Sequence, residues 1–150
     1  MADITGLVPR IQQVIDNFKT ERERIVKLAA KSILKTLVYN TPVDTSKALS
    51  NWQASLGSPI TSTRDAIFEG KNKSTKSTSA AAALSLGEIQ INKFTVDKWG
   101  TTVGNEIHIT NNLDYIEGLN NGTISKQPGA FVEKAIQLAD SVVKSQDIML

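Results

Sequence analysis

The segment Thr41-Pro42-Val43-Asp44-Thr45-Ser46-Lys47-Ala48-Leu49-Ser50-Asn51-Trp52 decides how the chain is organised. Pro42 disfavours helical geometry at Thr41 and offers no backbone donor, so a helix arriving from the amino-terminal side ends near Asn40. Asp44 or Thr45 is placed to cap a short helical turn through Leu49. From Asn51 to Leu56 the pattern alternates, with Trp52, Ala54 and Leu56 on one side and Gln53 and Ser55 on the other, the period of a half-buried strand. Helix stop, turn and strand start are therefore written into one short stretch.

Upstream, Leu7, Val8, Ile11, Val14, Ile15, Phe18, Ile25, Val26, Ala29, Ile33, Leu37 and Val38 recur at three- and four-residue steps and predict one amphipathic helix from about Thr5 to Tyr39. Pro9 falls in the first turn, where proline is tolerated. The run from Lys19 to Arg24 is wholly polar and interrupts the stripe. There the helix is expected to run over solvent, bend, or meet a neighbouring chain.

Downstream, residues 57–79 shift to Gly, Ser, Thr and Lys around an apolar island at Ala66, Ile67 and Phe68, and predict a mobile loop. Within it Lys71, Lys73 and Lys76 form the one dense basic cluster, and no aromatic residue interleaves to stack a base. A solvated loop is the preferred reading over a phosphate site. Ser79 then opens a middle helix through Ala80 to Ala83, Leu86, Ile89 and Phe94. Gly87 weakens that helix, and Ile89-Gln90-Ile91 leaves a strand start as the alternative. Gly100 and Gly104 bracket a turn before a second strand, in which Val103, Asn105, Ile107 and Ile109 oppose Glu106, His108 and Thr110. Asn111 and Asn112 end it. Asp114 is the expected cap of a short helix carrying Tyr115, Ile116 and Leu119, which stops at Asn121-Gly122. A turn around Pro128 and Gly129 leads into a last helix from about Ala130 to Val143, striped by Phe131, Val132, Ala135, Ile136, Leu138, Ala139 and Val142.

The expected architecture is a single α+β domain over residues 1–150. A long amino-terminal helix and a carboxy-terminal helix pack on a small, mostly antiparallel sheet, with a middle helix beyond the mobile loop. The 150 residues, 40% hydrophobic and 21% charged, suit one modest core. Absence of Cys excludes disulfides, thiolate zinc and a cysteine nucleophile, and the one histidine, His108, excludes a multi-histidine metal centre. No Gly-x-Ser-x-Gly elbow or phosphate-binding loop is present, and Glu21 with Glu23 beside Arg22 and Arg24 reads as an ion-paired surface. The reading is no enzyme, no catalytic residue, no metal and no cofactor. No secretory pattern opens the sequence and no apolar run approaches the roughly 20 residues of a membrane span, so a cytosolic protein without membrane contact is expected. A net charge of +2 gives little basis for tight nucleic-acid capture.

Residues 41–52 resemble the Thr-Pro-Val-Asp-Thr-Gly-x-Leu-x-x-Ser-Trp signature that follows the long first helix in tail-completion, or head–tail joining, proteins of tailed bacteriophages (the minor tail protein Z-like group). A second stretch is similar to that family's later signature: Ile107 to Asn112, then Tyr115, Leu119, Gly122 and Ser125-Lys126-Gln127-Pro128-Gly129. The motif residues are Thr41, Pro42, Asp44, Thr45, Trp52, Asn111, Asn112, Tyr115, Gly122, Pro128 and Gly129. The sequence departs from the family at Ser46, usually glycine, at Asn120, often glutamate, and at Thr123-Ile124, which alters the approach to Ser125.

The resemblance implies a virion protein of the neck, assembled in the host cytoplasm. Such a protein forms an oligomeric ring that joins the head connector to the tail tube or its terminator, and DNA passes through the ring without tight binding. Arg22, Arg24, Lys71, Lys73 and Lys76 are the candidate interface or channel residues, because a ring subunit needs docking faces and the polar belt and basic loop offer them. The runner-up is a tail terminator or minor tail protein capping the tube. A rival of another class is a small nucleic-acid-binding module using the three lysines.

Overall fold

A computed structural model describes residues 6–42, 46–69, 73–97, 105–123 and 129–146. The element order is α1 (Leu7–Asn40), α2 (Lys47–Ser50), β1 (Gln53–Leu56), α3 (Lys73–Ile91), β2 (Ile107–Thr110), α4 (Ile116–Asn120) and α5 (Phe131–Lys144). The architecture is α+β, with a long amino-terminal helix and a small antiparallel sheet.

The stripe predicted for the first helix forms α1 as one uninterrupted element. Its carboxy-terminal half buries Ala30, Leu34, Leu37 and Val38. Thr41 ends it in extended geometry, its N–H donating to Leu37 O at 3.1 Å, as the following proline requires. α5 lies antiparallel along this half, with Lys134 Nζ donating to Asn40 Oδ1 at one end and Arg24 Nη1 to Gln146 Oε1 at the other. Phe131, Ala135 and Ala139, at four-residue steps, are the buried face of α5. Ile136 and Leu138, part of the stripe read from sequence, are exposed instead.

β1 and β2 pair antiparallel, with Ala54 opposite Ile109 and Ser55 opposite His108. Ile107 and Ile109 pack on the core and His108 falls on the alternate side, as the alternation predicts. α3 covers β1 and crosses α1. At that crossing Gly87 meets Leu34 so closely that a Cβ would sit within 3.0 Å of Leu34 Cδ2. The glycine that weakened the helix prediction is thus what lets the two helices approach. Ile89, Gln90 and Ile91 are helical, so the strand alternative does not form.

Three expectations need correction. α3 begins at Lys73 rather than at Ser79, which places Lys73 and Lys76 on a helix and not in a loop. Extending a helix from an alanine-rich end adds a bond per residue without a new nucleus, so the polar 73–79 stretch joins it despite modest propensity. Residues 57–69 are irregular but fastened rather than a mobile loop: Asn51, Ser50, Ser79 and Asn112 all bond its backbone. Finally, Asp114 does not cap α4, because Tyr115 is the N-cap residue and no side-chain capping bond forms. The turn at 100–104, including Val103, lies outside the described residues.

Candidate functional site

The two signature segments build one corner of the molecule. Trp52 is buried and its Nε1–H donates to Thr41 Oγ1 at 2.7 Å; that hydroxyl donates on to Leu37 O at 2.5 Å. Thr41 thereby ties the end of α1 to the start of β1, and the hydrogen-bond needs of a buried indole are met. The Trp52 ring meets Phe131 of α5 edge to face, with centroids 6.3 Å apart and planes at 82°. Pro42 is half-buried beside this junction. Asp44, Thr45, Lys71 and Pro128, all named from sequence, lie outside the described residues.

Ser46, rather than the expected Asp44 or Thr45, is the N-cap residue of α2; it makes no side-chain capping bond, has φ +68° and is fully buried. A left-handed backbone at this position carries a steric cost that only glycine escapes.

The second signature docks on the first. Asn111 Nδ2 donates to Ala48 O at 2.8 Å while its Oδ1 accepts from Leu113 N at 3.2 Å, so one side chain turns its own chain and grips α2. Asn112 Nδ2 donates to Ile60 O and Ser62 O. Tyr115 keeps its ring partly exposed, and burial first, then the Asp114 charge, pushes its phenol above the ordinary value.

After α4 the chain closes with Thr123 N donating to Gly118 O and Gly122 N to Leu119 O, Gly122 at φ +74°. These are the paired bonds of a glycine-terminated helix end. Gly129 then passes so near this turn that a Cβ would collide with Asn120 O and lie 2.9 Å from Gly122 N. Ala130 N donates to Asn120 O at 2.5 Å.

Asn120 has a task of its own. Its Oδ1 accepts from Val132 N at 2.9 Å and its Nδ2 donates to Glu133 at 3.1 Å. The side chain caps α5 from the preceding helix, because Ala130, the N-cap residue, has no side-chain oxygen.

Sequence reasoning missed Arg64. Asn51 Oδ1 accepts Arg64 N at 2.8 Å and Asn51 Nδ2 donates to Arg64 O at 2.7 Å, while Arg64 Nε donates to Ser50 O. Its Nη2 is buried without a hydrogen-bond partner, and burial lowers its pKa. It lines a cleft of about 250 Å³ with Trp52, Leu86, Gly87 and Gln90. No sequence period signals such side-chain-to-backbone fastening.

The candidate interface residues separate. Arg24 pairs with Glu21 at 2.9 Å and reaches Gln146, and this hydrogen bond holds the Glu21 carboxyl below its usual value. Glu23 Oε1 accepts from Val96 N at 2.9 Å. The polar belt is therefore tied to the chain's own body at Glu23 and Arg24, while Thr20, Arg22 and Arg24 stay exposed. Lys76 is half-buried on α3. Among the described residues no three His, Cys, Asp or Glu converge, and no helix is long and apolar enough to cross a membrane. In comparisons with known proteins, the chain matches no family model, no curated protein and no solved structure.

Proposed function

We propose that the chain is a structural subunit of the neck of a tailed-phage particle, forming an oligomeric ring between head connector and tail around the DNA channel. The observation that carries this reading is the convergence of the two signature-like segments, more than fifty residues apart in sequence, on one corner: Asn111 grips Ala48 O, and Trp52 meets Phe131 just after the second signature. Segments that resemble one family's motifs in order and also pack on one another support a common origin better than either resemblance alone. In this role the chain performs no chemistry; its residues cap, pack and dock.

The test is assembly without the protein. Particles made in its absence should accumulate as filled heads and separate tails, and adding purified protein should restore joining. Normal joined particles in its absence would overturn the proposal. Saltsensitive DNA binding lost on replacing Lys71, Lys73 and Lys76 by alanine would favour the nucleic-acid module instead.

A further inference from the structure

Among the described residues, the exposed amino-terminal half of α1 is the largest feature that the packing of the chain does not explain. Residues 6–18 are exposed around the whole circumference of the helix. Their polar side chains bond locally, Gln12 Nε2 to Asp16 Oδ1 and Thr20 Oγ1 to Asp16 O. Yet Leu7, Ile11, Val14 and Phe18 follow steps of four, three and four, flanked by Val8 and Ile15, and all six are 40–72% exposed. Together they leave roughly 600 Å² of contiguous apolar surface, at the upper limit of the largest patch on a typical monomer and most of the ~800 Å² per partner in a standard interface. A helix of this length standing free in water is marginal, so its stripe calls for a covering surface.

The chain carries an apolar face that such a stripe can meet. α5 uses Phe131, Ala135 and Ala139 against its own α1; on the adjacent face Ile136 is 57% exposed, flanked by Val132 and Val143, which are half-buried, Val132 against the core of its own chain. At 100° per residue these three lie within about 40° of one another, and at 1.5 Å per residue both stripes are about 17 Å long.

We propose that the amino-terminal half of α1 docks on a second copy of this chain, laying Leu7, Ile11, Val14 and Phe18 along Val132, Ile136 and Val143 of that copy's α5. Because the two stripes are different patches of one molecule, the contact can repeat head-to-tail from copy to copy, closing where the rotation closes, or be exchanged reciprocally in a two-fold dimer; the ring takes the first. The ring geometry rests on the neck reading above; the docking itself does not. In the assembly α5 is sandwiched between its own α1 and its neighbour's.

Sedimentation velocity over a concentration series tests it. The wild-type chain should self-associate, and both Ile11→Glu/Val14→Glu and Ile136→Glu should weaken association roughly thirtyfold or more, as central interface positions do. Far-UV circular dichroism and the urea midpoint should stay unchanged, since these side chains leave the core alone. The chain has no cysteine, so a mixture of Val14→Cys and Ile136→Cys proteins should form disulfide-linked pairs that neither forms alone.

A wild-type chain monomeric at all concentrations, or stripe variants that associate like wild type, would overturn the docking. Rapid cross-linking of Val14→Cys with itself would overturn the head-to-tail arrangement. Association that follows both stripes in a protein dispensable for joining heads to tails would sink the neck reading and leave this inference standing.

Discussion

Replacing Gly87 by alanine tests the close crossing of α1 and α3. At an exposed helix position this change stabilises by about 1 kcal/mol, through backbone entropy and propensity. Here the new methyl would collide with Leu34 Cδ2, while Leu34 Cγ and Cδ1, at 3.5 and 3.6 Å, would be in ordinary contact. Leu34 is fully buried in the cluster with Ile91 and Phe131, so its Cδ2 must find room among packed neighbours. Overpacking of this kind costs ~1–3 kcal/mol. The clash must also cancel the propensity gain, so Gly87→Ala should come out destabilised by roughly 1 kcal/mol net. Leu34→Ala alone should cost about 3 kcal/mol for lost burial and the cavity left behind.

In that background the obstructing carbons are gone. Gly87→Ala then recovers its helix propensity and places a methyl into vacated volume, so its sign should reverse to a gain of about 1 kcal/mol, a coupling of ~2 kcal/mol. Urea unfolding of dilute protein, followed by circular dichroism with the slope held common, measures all four corners of the cycle. The same sign of effect in both backgrounds would refute the close crossing. So would a stabilised Gly87→Ala single variant.

Trp52→Ala should cost about 3–5 kcal/mol, and Thr41→Val about 1–3 kcal/mol because it strands the buried indole N–H; equal stability of Thr41→Val and wild type in urea would remove Thr41 from that role. Gly129→Ala should destabilise by roughly 2–3 kcal/mol, since its obstruction is backbone at Asn120 and Gly122. Neighbouring Ala130, at φ +58°, should instead tolerate glycine with a gain of up to about 1 kcal/mol, a contrast that thermal melts of the two variants resolve. Asn120→Ala should cost about 1 kcal/mol as a lost cap. Asn120→Glu sets a second carboxylate beside Glu133 in the fold; the pair's repulsion raises the folded-state pKa of these groups. Its penalty should therefore be full above the carboxylate range and shrink as pH falls through it, and a pH-independent penalty would refute the Glu133 contact.

Much of the fold was legible because it rests on periodicity and on residues with restricted backbones. The α1 stripe, the stop at Pro42, the alternation around Trp52 and Ile107, and the Asn121-Gly122 helix end all lie where sequence spacing puts them. What was not legible rests on side chains gripping distant backbone. Ser79 reads as a helix cap, yet its hydroxyl accepts from Phe68 N and donates to Phe68 O, clamping the connector while the helix runs on past it. Asn51 holds Arg64 at both backbone groups. Contacts of this kind leave the connector's composition polar and glycine-rich, indistinguishable by sequence from a mobile loop. The signature at 41–52 was readable as helix-stop chemistry, whereas its grip by Asn111 was not.

The long first helix carries the sharpest lesson about what a pattern can say. Periodicity establishes that one face is apolar, but not which body covers it. Reading the apolar run at 7–18 as core and the polar run at 19–24 as the outward-facing belt follows naturally from composition. The structure overturns the first and qualifies the second, since the belt stays at the surface but is tied to the body at two points. Glu23 and Arg24 are bonded to Val96 and Gln146 of the same chain, whereas Leu7 through Phe18 stand in solvent. Charged residues are solvated cheaply wherever they sit, so a polar belt can lie against the body at little cost when each group finds a partner. An exposed apolar stripe has no such remedy, and its favourable burial must come from outside the chain. The place to look for assembly contacts is therefore the hydrophobic half of α1 rather than the lysines and arginines, and the neck reading should be tested there first.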